Sequence, residues 1–154
     1  MKNLVCIIAF TILSASAIGQ KVNFSGEWSL NEGKSQLGYE MSLAPKAMTL
    51  EHTKKIFHQT LTSEWDGMEY ETENHYTLDG EISENPGFEG TVTKSTADFD
   101  KKAKTLKIVT DGEVQGMAYT LTQVFSMKDG NLVVESEATS DMGELFETFV
   151  YDKK

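Results

Sequence analysis

Arginine is missing altogether. All 14 basic residues are lysines, set against 24 Asp and Glu for a formal net charge of −10. An acidic chain without guanidinium groups is poorly equipped to neutralise phosphates, which argues against nucleic acid or an anionic membrane surface as a partner. Cysteine is nearly missing too, since Cys6 is the single one. It lies in the N-terminal apolar stretch, too early and without preceding small residues to be an acylation site. The rest of the chain therefore holds no disulfide, no thiolate nucleophile and no cysteine metal site. Proline is limited to Pro45 and Pro86, both expected in loops. No amphipathic helix of useful length is present, and beyond the N-terminus no run is apolar enough to span a bilayer.

What is there begins with a leader. Met1-Lys2-Asn3 is a short positive segment, Leu4 to Leu13 is apolar apart from Thr11, and Ser14-Ala15-Ser16-Ala17-Ile18-Gly19 supplies small residues. That order describes a secretory signal peptide. Cleavage after Ala17 or after Gly19 fits; the second is preferred, giving a signal peptide over 1–19, a single domain over 20–154 and Gln20 as the new N-terminus. The expected compartment is the periplasm or the exterior. Loss of Lys2 makes the mature chain one charge more negative, and acidity of that kind serves solubility first.

Beyond the leader, runs rich in Thr, Val, Tyr and Phe alternate with period two, and glycine and Asp-Gly pairs punctuate them. These are strand and turn signals. Strands are expected at 24–30, 47–52, 55–65, 68–78, 88–99 (broken), 104–110, 115–126, 131–138 and 144–151. Asp79-Gly80, Asp111-Gly112 and Asp129-Gly130-Asn131 are expected turns. The fold class is all-β: an antiparallel up-and-down meander of about 8–10 strands, which best avoids exposed edges by closing into a barrel. An open sandwich is the alternative.

Parity sorts the side chains. Phe57, Gln59, Leu61, Ser63 and Trp65 share one face; Tyr70, Thr72, Asn74, Tyr76 and Leu78 share another; Met117, Tyr119, Leu121, Gln123 and Phe125 a third. These faces are aromatic with neutral polar groups and point inward. Glu69, Glu71, Glu73 and His75 point to solvent, as do the other alternating carboxylates (Glu64/Asp66, Glu135/Glu137). His58 points outward, whereas His52 shares a face with Met48 and Leu50 and reaches the interior or the barrel mouth. No histidine cluster has zinc spacing. Neither Gly-x-Ser-x-Gly nor a phosphate-cradling glycine loop occurs. No catalytic residue, metal or cofactor is expected, and the chain is read as not an enzyme.

The stretch Phe24-Ser25-Gly26-Glu27-Trp28-Ser29-Leu30-Asn31, followed by Lys34-Ser35, resembles a family of small secreted bacterial lipocalin-like proteins within the calycins. Tyr76-Thr77-Leu78-Asp79-Gly80 and Val150-Tyr151-Asp152-Lys153 resemble it as well. The resemblance implies a lipocalin-like barrel whose closed end is plugged by Gly26 and Trp28. Lipocalins pack an arginine over that tryptophan; here Lys153 or Lys154 is the available substitute, a point charge without the stacking plane. One branch of calycins binds haem through a histidine, for which His52 is the single candidate; a satisfied or half-exposed histidine is the plainer reading.

The functional expectation is a non-enzymatic barrel binding a small apolar or amphipathic ligand inside. Phe57, Trp65, Tyr70, Asn74, Tyr76, Tyr119, Gln123 and Phe125 are the candidate lining residues, since pockets are mostly apolar with a few placed polar groups. The alternative is a filled structural barrel acting as an envelope or extracellular interaction module. Residues 31–47 are expected either to lid one end, with Leu37, Tyr39, Met41 and Leu43 packing down, or to serve as a packed connector.

Overall fold

The computed structural model describes residues 22–39 and 41–154. The expected leader and cleavage site, together with Cys6, lie outside the described residues. Ten antiparallel strands follow one another: β1 (Gly26–Leu30), β2 (Ala47–His52), β3 (Ile56–Trp65), β4 (Met68–Thr77), β5 (Ser83–Pro86), β6 (Val92–Asp100), β7 (Thr105–Val114), β8 (Met117–Lys128), β9 (Asn131–Ser140) and β10 (Gly143–Lys153). They form one sheet in the order β4-β3-β2-β1-β10-β9-β8-β7-β6-β5, a meander joined through the β1–β10 pair. The sheet curls into a nearly closed barrel. Its last seam, β4 against β5, is made by side chains: the Asn85 amide accepts from the His75 N–H (2.6 Å) and donates to the His75 carbonyl (3.2 Å). The Ser83 hydroxyl accepts from the Thr77 N–H.

Tight turns enforce this order. Asp66-Gly67, Gln115-Gly116 and Asp129-Gly130 each place two successive residues at positive φ between paired strands. That is the hairpin geometry whose twist matches the strands. Three sequence expectations are corrected. Asp111-Gly112 is not a turn: both lie inside β7, which runs on to Val114. Gly112 stands directly opposite Tyr119, and a Cβ there would come within 2.6 Å of the tyrosine ring, so the glycine makes room for an aromatic. The broken 88–99 run is a turn at Phe88–Gly90 followed by β6, and β5 before it, from Ser83 to Pro86, is a strand the sequence pattern did not mark. Pro86 ends β5 and is not in a loop, a place where a strand tolerates the missing N–H.

Half of the barrel is solid. Phe24, Trp28, Phe57, Leu106, Phe125, Leu132, Phe149 and Tyr151 are fully buried there, joined by Leu50, Tyr76, Ile108 and Val134. Phe24, Phe57 and Phe125 meet with ring centroids 5.3–6.4 Å apart, spacing at which aromatic pairs add to area burial. Trp28 lies in this closed half. Its Nε1 donates to the Phe24 carbonyl at 2.9 Å, and the Lys153 ammonium sits 5.8 Å from its ring centre. The lysine thus occupies the place expected of it. Gly26, at φ +141°, leaves space for that lysine: a Cβ would approach its Cε to 3.2 Å.

Candidate functional site: the open half of the barrel

Parity persists along each strand, but burial does not. In β3 the inward series runs from Phe57 and Gln59, both buried, through half-buried Leu61 to exposed Ser63 and Trp65. In β4 it runs from buried Tyr76 through half-buried Asn74 and Thr72 to exposed Tyr70. In β8, Phe125 is buried while Gln123, Leu121, Tyr119 and Met117 are half-buried. The barrel is therefore a cup with a packed floor, a partly wetted wall and an open rim.

The eight sequence-predicted lining residues divide along this gradient. Phe57, Tyr76 and Phe125 belong to the floor, where other side chains already cover them. Asn74, Tyr119 and Gln123 line the wall. Trp65 (70% exposed) and Tyr70 (47%) stand at the rim. Trp65 pairs across the hairpin with Met68, and Ser63 with Tyr70, so the β3–β4 tip presents an indole, a thioether and a phenol on its inward face.

The wall has a small polar cluster near its base. The Tyr76 hydroxyl lies 3.5 Å from Gln59 Oε1. Burial pushes the Tyr76 phenol well above its ordinary range, with Tyr119 adding to the shift. Burial raises the Tyr119 phenol as well. Desolvation disfavours the phenolate, so both remain neutral donors toward the interior.

One inward group was not anticipated. Glu147 is 4% exposed and lies on the β10 face that carries Phe149 and Tyr151. Its two carboxylate oxygens accept from the Gly38 N–H (2.8 Å) and the Leu43 N–H (2.9 Å). Alternation from Phe149 and Tyr151 already marked this position as inward; the prior that charges stay outside concealed it. The effect is to strap the segment after β1 against the wall. β1 and β2 are short, leaving the side of β10 away from β9 without a strand partner below Val150, and the strap fills that gap. Gln36 bridges Thr148 through two backbone bonds, the Tyr151 hydroxyl donates to the Pro45 carbonyl at 3.1 Å, and Leu37 and Ala44 pack on the core. Of the expected lid residues Leu37 packs down, whereas Tyr39, Met41 and Leu43 are exposed. The segment is a packed connector more than a lid. A Cβ on Gly38 would meet the Met41 carbonyl at 2.1 Å, so this turn requires glycine.

His52 reaches the interior, as its shared face with Met48 and Leu50 implied. It stacks on Phe24 at 5.2 Å, packs edge-on to Phe57 and Phe99, and accepts the Phe24 N–H on Nδ1 at 3.4 Å. It is a floor residue walled in by aromatics. On the outside, His58 and His75 pair across β3 and β4 with Glu51 and Glu73 nearby. Among the described residues, no group of three or more His, Cys, Asp or Glu is placed to hold a metal ion. A shallow groove of about 350 Å³ also lies on the β8–β10 exterior, lined by Thr122, Val124, Glu135 and Phe146 among others.

Among the described residues no helix is long and apolar enough to cross a membrane. No protein-family model matches the chain, and no curated protein matches it significantly.

Proposed function

We propose that this chain is an exported, lipocalin-like binding barrel, not an enzyme, that holds a small apolar or amphipathic molecule in its open half. The single observation that carries the reading is the graded interior: an aromatic floor, a half-buried wall of Leu61, Thr72, Asn74, Tyr119, Leu121 and Gln123, and exposed Trp65 and Tyr70 at the rim. Such a wall offers apolar area with a few neutral hydrogen-bonding groups, the composition suited to an uncharged or amphipathic guest. The filled lower half restricts the ligand to the part of the barrel above Tyr76. The lipocalin-like reading is supported by the tryptophan in the closed end with a cation over its ring, in addition to the motif resemblance.

The test is native mass spectrometry of protein taken from its own exported fraction, with denaturing extraction of whatever accompanies it. A stoichiometric small molecule is the expected result. Tyr119→Glu places a charge on the half-buried wall and is expected to abolish that adduct, lowering the melting temperature through lost packing over Gly112 while leaving a folded protein. An adduct that survives Tyr119→Glu in a folded protein would place the ligand elsewhere. Absence of any adduct from the exported fraction, and of any shift on titration with a fatty acid or an aromatic dye, would favour the filled structural barrel.

A further inference from the structure

The barrel seam is closed only along part of its length. Where β5 runs beside β4, Asn85 serves His75 and Ser83 serves Thr77. The backbone N–H and C=O of residues 75 and 77 therefore point away from β3. Strand alternation then sends the N–H and C=O groups of Glu73, Glu71 and Glu69 the same way. A straight continuation of β5 would bring residue 87 beside Glu73 and residue 89 beside Glu71. The chain does not continue. Pro86 ends the strand, the Gly87 N–H bonds the Thr91 carbonyl at 2.8 Å, and the Thr91 N–H bonds the Phe88 carbonyl, returning the chain into β6 at Val92. The turn is built for this, since a Cβ on Gly87 would meet the Thr91 hydroxyl at 2.4 Å. No hydrogen bond among the described residues reaches the outward backbone of Glu69, Glu71 or Glu73.

A free edge of this length is a template for another strand. Its side chains say which one. Glu69, Glu71 and Glu73 are all exposed on the outer face, while Tyr70, Thr72 and Asn74 alternate on the inner face. A second copy of β4 laid antiparallel would set one glutamate row against the other, and like charges directly opposite are destabilising. We propose that the β4 edge at residues 69–73 is a docking site for an extended segment of a partner protein carrying Lys or Arg at alternate positions. Its basic side chains lie against the glutamate row, and its intervening residues, apolar or aromatic, face Tyr70 and the mouth of the cup. The added strand extends the wall where β5 stops, and its backbone supplies the bonds that Asn85 and Ser83 supply lower down. This holds whatever the cup contains.

The probe is the peptide acetyl-Lys-Val-Lys-Tyr-Lys-Val-Lys-amide, with two controls: a twin with glutamate in place of lysine, and a version methylated on the amide nitrogens of its two central lysines. Amide exchange of the isotopically labelled protein is read by NMR. Residues 69, 71 and 73 are expected to exchange fast alone and to become protected by the basic peptide, and the acidic twin to have no effect. The triple variant Glu69→Gln, Glu71→Gln, Glu73→Gln is expected to weaken binding about tenfold, the sum of three modest cross-strand pairs. The methylated peptide keeps its charge but loses backbone donors, and is expected not to bind. Equal binding of the methylated peptide, or protection that falls elsewhere, would overturn the proposal in favour of simple adhesion to an acidic surface. Concentration-dependent protection of residues 69–73 without peptide would overturn it in favour of self-pairing.

Discussion

Trp28 illustrates how one side chain ties distant parts of the barrel together. It is buried in β1, between β2 and β10 and opposite Met48 and Lys153, its indole N–H is spent on the Phe24 carbonyl, and its ring faces the Lys153 ammonium. Trp28→Ala is expected to cost about 3–5 kcal/mol, the range for truncating a core aromatic; an unchanged urea midpoint would contradict its place in the floor. Glu147 holds a different kind of junction. Replacing it with Ala leaves two partly buried N–H groups without their charged acceptor, at a cost of about 2–4 kcal/mol. The loss should be local as well as global. Amides of Gly38 and Leu43 should exchange faster than the β-sheet average in Glu147→Ala, and unchanged protection at those two sites would remove the strap role. Trp28 was legible from its motif. Glu147 was legible only by parity, and the general rule about charges pointed the other way.

At the scale of the element, alternation and turn chemistry carried most of the fold. β2 has the expected bounds, and β3, β4 and β10 agree within a residue or two. The errors have physical causes. Asp111-Gly112 has turn composition, but its glycine is small so that Tyr119 can lie across it, a cross-strand relation between two strands that local sequence does not display. The actual β7–β8 turn uses Gln115-Gly116, with glutamine at φ +51°, a residue with no special tolerance for that region. Gln115→Asn is expected to raise stability by about 0.5–1 kcal/mol, because asparagine accepts this conformation more readily. A lower melting temperature in that variant would mean that the glutamine side chain makes a compensating contact. The inward residues were also legible from parity, but their depth was not. Burial falls along β3 and β4 toward the Asp66-Gly67 tip because the barrel opens there, a property of the whole sheet and not of either strand.

Over the whole molecule, the interior and the surface respond to alkali together. Burial raises the phenols of both Tyr76 and Tyr151 above their ordinary value of 10.0, with Glu147 adding to the effect at Tyr151. A group whose folded pKa is raised stabilises the fold fully below its unfolded pKa and loses that contribution as pH rises toward the folded value. Stability is thus unaffected by these tyrosines up to about pH 10 and falls above it, by up to about 1.4 kcal/mol per pH unit for each. The surface works in the same direction. The chain already carries −10 at pH 7, so every negative charge added in alkali raises the self-repulsion of its surface. The two contributions separate by substitution and by salt. Tyr76→Phe should flatten the decline in unfolding free energy between about pH 10 and 11.5 at every ionic strength, since the phenol is buried and poorly screened. The surface part should shrink in about 0.5 M salt, where the screening length is a few ångströms. A decline that salt removes completely, with Tyr76→Phe superimposing on the parent protein, would mean that the phenol is reached by water and that the floor of the cup is open.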